Sequence, residues 1–304
     1  MRNRQAQPPQ LRTKTKLNPK IYFEVNFLVR TITAIVYAFI MLFCILKGAP
    51  WFVGLFAVCT ILTTIEYTGL ANKFKQANAS RLWATVAAFT FYSAIVGLSV
   101  MQGSAILFLP FVFTLIVIMV RELYFQKPSP INDWTQTLFP CIYIALPYAL
   151  LSLLAFDAQG PGTGYSAVIP LTLFVFLWCN DVGAYCTGCT IGKHKLFERI
   201  SPKKTWEGSI GGAVLTMVAA FLLHRFLPDW YSFMPVWVWI GMALVVVVFG
   251  TWGDLIESLM KREMGIKDSG KILPGHGGML DRFDSALLAI PATVVYFSLV
   301  GLYF

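Results

Sequence analysis

The sequence predicts an all-α fold, a polytopic membrane helical bundle of about nine transmembrane helices, and three observations carry that prediction. Only 13% of the 304 residues are charged while 57% are hydrophobic, whereas a soluble chain carries about 25% charged residues. So few ionisable side chains cannot furnish a water-facing surface. That excludes a disordered chain, a nucleic-acid module and an ordinary soluble enzyme, despite a net charge of +9. The second observation is a series of apolar stretches that reach or approach the roughly 20 residues a membrane helix needs. The third is the distribution of the 24 lysines and arginines, which concentrate on the cytoplasmic side of a membrane protein.

The stretches lie at about 27–46, 50–70, 82–101, 105–120, 134–156, 166–188, 209–227, 235–257 and 284–304, the fourth being short. A basic cytoplasmic N-terminal arm, 1–26, precedes them. With no small-residue cleavage site after it, the first stretch is expected to stay as an anchor rather than be removed as a signal. If the arm is inside and the connections alternate, every lysine and arginine except Lys47 and Arg225 falls on the inside face. The plain part of the bundle spans 27–160, and the part that carries the chemistry spans 161–304. Cys44, Cys59, Cys141 and Cys179 sit in apolar runs, where a free thiol behaves as a small hydrophobe. Cys186 and Cys189 have metal-like spacing but no second pair, so they read as packing residues.

Ionisable groups at membrane depth are costly and face a cavity or a partner. The candidates are Glu66, Asp181, Asp254 and Glu257. Glu66 either joins a site or snorkels, and Arg30 is expected to snorkel to lipid phosphate. If the eighth span continues as a helix, Asp254, Glu257, Ser258 and Lys261 share one face, and so do Asp281 and Asp284 at the start of the ninth. Pro274-Gly275-His276-Gly277-Gly278 between them cannot be regular helix. Oxygen-only clusters suit magnesium, held by one or two carboxylates plus substrate phosphates; the alternative is a salt-bridged loop that caps two helices. Asp181 closes the sixth span. Ser201-Pro202-Lys203-Lys204-Thr205 reads as a turn into a helix, rich in donors for phosphate oxygens. Acids and bases on one face point to a metal–polyphosphate site.

Ser258-x2-Lys261-Arg262-x4-Lys267-Asp268-x-Gly270-x2-Leu273-Pro274-x-His276-Gly277-Gly278-x2-Asp281-Arg282-x-Asp284 resembles the hallmark motif of the phosphatidate cytidylyltransferases, also called CDP-diacylglycerol synthases. Asn180-Asp181 and the segment from Ser201 to Gly208 are similar to that family too, so the resemblance covers about 178–284. It implies transfer of the cytidylyl group of CTP to phosphatidate, with Mg2+ and optionally a second, monovalent cation (K+). The site would face the cytoplasm from a bacterial cell inner membrane, in a protein for which a homodimer is one option. Asp254 and Asp281 would hold metal, with Asp181 and Asp284 the next candidates. Lys261, Arg262 and His276 would join Asp254 and Asp281 in catalysis, and Ser201, Lys203, Lys204, Thr205, Lys267 and Arg282 would bind substrate. The alternatives are a CTP-dependent lipid or polyprenol kinase, and a cytidylyltransferase for another lipid phosphate. A CDP-alcohol phosphotransferase lacks its usual aspartate pattern here. A transporter would place its acids at mid-bilayer in both halves.

Overall fold

The computed structural model describes residues 19–74, 77–101, 104–125, 127–156, 164–270, 272, 275 and 277–301. Among them, nine helical segments are long and apolar enough to cross a membrane. Helix α1 (Pro19–Lys47) starts well before the apolar run does, so the end of the predicted arm is helical; the rest of the arm lies outside the described residues. Helices α2 (Ala49–Phe74) and α3 (Arg81–Met101) follow. A 3-10 turn at Ala105–Phe108 runs into α4 (Leu109–Phe125), and together they make a span of 21 residues where the sequence suggests a shorter one.

The fifth span is broken in a way that its prolines dictate. Helix α5 (Pro130–Pro140) passes through a π-helical turn, Cys141–Ala145, into α6 (Leu146–Phe156). A proline ring clashes with the carbonyl one turn earlier and supplies no N–H. Widening the turn beside Pro140 and Pro147 lets the helix continue through both. Helices α7 (Val168–Ile191), α8 (Trp206–Phe226), the single turn α9 (Pro228–Tyr231), α10 (Val236–Glu263) and α11 (Leu280–Leu299) complete the bundle.

One local expectation is corrected. Ser201–Thr205 is not a turn but strand β2, paired antiparallel with β1 (Lys195–Phe197) in the register Lys195↔Thr205 and Phe197↔Ser201. Pro202 is tolerated because a two-stranded ribbon leaves an edge with no ladder bond to lose. The hairpin runs straight into α8, whose first amide, on Trp206, donates to the carbonyl of His194 at 2.9 Å.

Aromatic rings bind the two halves of the chain together. Phe56 of α2 stacks on Phe174 of α7 (6.0 Å between centroids, 13° between planes), and Tyr148 of α6 meets Phe283 of α11 edge-on (5.3 Å, 89°). All four rings are buried. A second correction concerns the plain half, which carries a buried ionic cluster. Lys127 bridges Glu122 (2.9 Å) and Asp133 (3.3 Å), and the amide of Asn78 donates to Asp133 at 2.6 Å. All six cysteines are free thiols; Cys186 and Cys189 lie on the exposed face of α7 rather than in its packing.

Helices α7 and α8 pack backbone to backbone, and two glycines make it possible. A Cβ on Gly183 would lie 2.9 Å from the Cα of Gly212, and one on Gly212 would collide with Asn180. Small residues let backbones touch where no hydrophobic gain separates protein from lipid. Replacing Gly212 with leucine should therefore overpack the crossing by about 1–3 kcal/mol. It is expected to lower the melting temperature in detergent, whereas the same change at the open Gly54 should leave it unchanged.

Candidate active site

The C-terminal ends of α2, α7 and α10 and the starts of α1, α8 and α11 meet at one end of the bundle, and the polar residues gather there. As anticipated, α10 continues through Glu263, which puts Asp254, Glu257, Ser258 and Lys261 on one helix. Ser258 donates to Asp254 Oδ1 at 3.1 Å and Lys204 pairs with Asp254 Oδ2 at 2.7 Å. One turn on, Lys261 pairs with the fully buried Glu257 and reaches across to Asp281 Oδ1 at 3.0 Å.

Asp281, in the first turn of α11, gathers donors from three segments. Besides Lys261, it accepts from the amide of Ser269 (2.9 Å to Oδ2, 3.2 Å to Oδ1) and from the amide of Gly278 (2.7 Å). Gly277 sits at φ +83°, and a Cβ there would run into Asp281. This loop therefore needs glycine twice over, for its left-handed turn and for the close approach of a carboxylate.

The hairpin supplies the cationic side. Thr205 caps α8, its hydroxyl accepting from the amide of Gly208 at 3.1 Å. Glu207 accepts from the amides of Lys193 (3.1 Å) and His194 (3.2 Å) and pairs with His194 Nδ1 at 2.5 Å, which locks the hairpin base. Arg262 ties the hairpin to α10 through the carbonyl of Ile200 at 3.2 Å. These contacts aim Lys203 and Lys204 at the acids.

Two cavities open here and share a wall. One, of about 250 Å³, is lined by Lys203, Lys204 and Thr205 opposite Asp181, Asp254 and Ser285. The other, of about 280 Å³, also touches Asp181, Asp254 and Ser285 and adds Asp281, Asp284 and Arg282. Its remaining wall is largely apolar and includes Phe174, Leu177 and Trp178. An acid pair, Asp181 and Asp254, thus stands between a compartment walled by Lys203 and Lys204 and one that adds Asp281, Asp284 and Arg282.

The sequence matches the cytidylyltransferase family over residues 28–300. The chain belongs to that family. A Staphylococcus aureus protein named phosphatidate cytidylyltransferase is 48% identical over 121 residues, which is 40% of this chain and 45% of that protein. The proteins of the same name from Staphylococcus epidermidis and Staphylococcus haemolyticus are each 37% identical over 188 residues, 54% of this chain and 71% of theirs. The chain thus spans less than half the length of the Staphylococcus aureus relatives it matches.

In this cytidylyltransferase-family chain the fold brings together Asp181, Asp254, Asp281, Asp284, Lys203, Lys204, Thr205 and Arg282 around the two cavities. Ser201, Lys261, Arg262 and Lys267 line neither of them. Lys261 and Arg262 serve the framework just described, and His276 lies outside the described residues. Arg30 does not merely snorkel: its Nε donates to the carbonyl of Gly275 at 3.0 Å. Sequence reasoning missed Thr251, whose carbonyl accepts from Lys204 at 3.4 Å, and Ser269. A lone serine or threonine gives no signal in sequence; only the glycines around Ser269 could have marked it.

A hard divalent cation fits the donor set. Asp181, Asp254, Asp281 and Asp284 share one cavity with no histidine or cysteine among its walls. Among the described residues, no three acidic, histidine or cysteine side chains close around an ion by themselves. That suits magnesium, which takes one or two carboxylates and completes its shell with water and substrate phosphates. Lys204 already holds one oxygen of Asp254, so a cation there would share that carboxylate with it.

Removing the Thr205 cap should loosen the whole basic wall. Thr205→Val is expected to cost about 0.5–2 kcal/mol and Thr205→Ser almost nothing, measured as melting temperatures of the two variants side by side.

Proposed function

We propose that this chain transfers the cytidylyl group of CTP to phosphatidate, giving CDP-diacylglycerol and pyrophosphate. The observation that carries the reading is the pair of cavities meeting at Asp181 and Asp254, one walled by Lys203 and Lys204 and the other holding Arg282 beside Phe174, Leu177 and Trp178. A triphosphate suits the first and a lipid phosphate the second. The names of the staphylococcal relatives and the family match support the same reaction.

The chemistry is in-line attack by a phosphatidate oxygen on the α-phosphorus of CTP. A new P–O bond forms, the bond from the α-phosphorus to the bridging oxygen breaks, and pyrophosphate leaves. Both reactants are anions, so neutralisation and positioning supply most of the rate. Lys203 and Lys204 screen the triphosphate, and Arg282 holds the lipid phosphate in the second cavity. The Thr205 cap and the Glu207 lock keep the lysines in place without spending substrate binding on ordering the hairpin. The nucleophile is ionised at neutral pH, so no general base is required of the chain. Mg2+ held by Asp254 and Asp281, with Asp181 and Asp284 the next candidates, would supply charge neutralisation to the phosphoryl group being transferred. In this reading the basic end faces the cytoplasm from a bacterial inner membrane. CTP then arrives from water while the acyl tails stay in lipid.

The test supplies purified protein in detergent with phosphatidate, Mg2+ and CTP labelled at the α-phosphorus. Label should move into the lipid phase, stop on chelation and fall about 100-fold or more in Asp254→Asn. Lys204→Ala should lower the rate at least tenfold, an order-of-magnitude expectation for losing one charge-stabilising donor. Label that stays in water as CDP while the lipid gains a phosphate would replace this reading with a lipid kinase.

A further inference from the structure

We propose that Glu66 is a positioning residue that latches the loop between α10 and α11 and thereby holds Asp281 in its working place. The effect on catalysis rests on the cytidylyltransferase reading; the latch itself is a matter of geometry. Glu66 lies on α2, in the half of the chain that contributes none of the acids around Asp254, yet its side chain is buried against the far loop. Its Oε2 accepts from the amide of Met279 at 2.7 Å, and its Oε1 accepts from the hydroxyl of Ser269.

Those two contacts bracket Asp281. The amide of Ser269 donates to Asp281, and so does the amide of Gly278, the neighbour of Met279. Glu66 therefore grips the same two loop strands that grip Asp281, one bond further out. The packing leaves no slack. A Cβ on Gly270 would lie 2.8 Å from the Glu66 carboxyl carbon, and one on Gly278 would overlap the carboxylate outright. Arg30, on α1, holds the same loop at Gly275. The first two helices thus act as a frame for a loop made more than two hundred residues later in the chain. A carboxylate held by its own supporting shell keeps its geometry without help from substrate.

The experiment compares Glu66→Ala, Glu66→Gln and Ser269→Ala in the full-length protein in detergent, by amide hydrogen exchange and by steady-state kinetics. A glutamine can accept from the Met279 amide with its oxygen and donate to the Ser269 oxygen with its nitrogen. Glu66→Gln should accordingly stay within threefold of the wild type in both measurements. Glu66→Ala should speed exchange across residues 266–282 at least tenfold, and lower kcat tenfold or more with KM for CTP changed less than threefold. Ser269→Ala, which removes one bond and no charge, should move the same way by a smaller factor. The proposal is overturned if Glu66→Gln is as damaging as Glu66→Ala, because the charge itself would then be in use. It is also overturned if neither Glu66→Ala nor Ser269→Ala speeds loop exchange, or if both speed it equally throughout the bundle. If the wild type transfers no cytidylyl group, the function proposed above fails, while loop exchange in Glu66→Ala against Glu66→Gln still decides the latch.

Discussion

Carboxylates at the edge of a hydrocarbon layer have to be met by cations or amides, and that requirement shapes the polar end of this bundle. Removing an ion from water costs several kcal/mol even after relaxation. Glu257 is fully buried, so Lys261 cannot leave it without stranding a charge. Lys261 in turn fixes Asp281, and Asp281 gathers the amides of Ser269 and Gly278. The start of α11 is therefore set relative to α10 by a chain of charge contacts rather than by apolar packing alone. Lys204 with Asp254, and Lys127 between Glu122 and Asp133, repeat the device elsewhere at the polar ends of helices.

Two kinds of rigidity result, and they divide the labour. Aromatic contacts such as Phe56 on Phe174 and Tyr148 on Phe283 hold the helices within the membrane. They favour stacked or edge-on geometries yet tolerate small shifts. The hydrogen-bonded end tolerates less, because Asp254, Asp281 and Glu66 each meet two or more donors from different segments. The chemistry proposed for this family member asks for that combination: a lipid that slides within an adaptable apolar wall, and phosphates that must line up against fixed charges.

Most of this architecture is legible in the sequence because hydrophobic length and charge placement are strong signals. All nine spans appear where apolar runs lie, and Asp254, Asp281 and Asp284 fall on the helices that their spacing implies. The losses have physical causes. Ser201–Thr205 is short and polar, so nothing in its pattern separates a turn from a strand whose partner, Lys195–Phe197, is shorter still. Glu122 and Asp133 are single acids with no repeating pattern, and only the fold reveals that Lys127 serves both. Glu66 and Arg30 show the same limit over a greater distance, since long-range partners leave no mark on local periodicity. The cavities are also invisible in sequence, being a property of where α7, α8, α10 and α11 fail to touch.

The grip of Glu66 on Ser269 spans 203 positions, and this has a consequence for how the chain is made. Ribosomes add about 5–20 residues per second, so Glu66 is synthesised on the order of ten to forty seconds before Ser269 exists. During that interval the acid has no mate inside the protein and must rest in the watery head-group layer at the end of its helix. The polar seam of Glu66, Ser269 and Asp281 can therefore close only after the start of the last helix has been made.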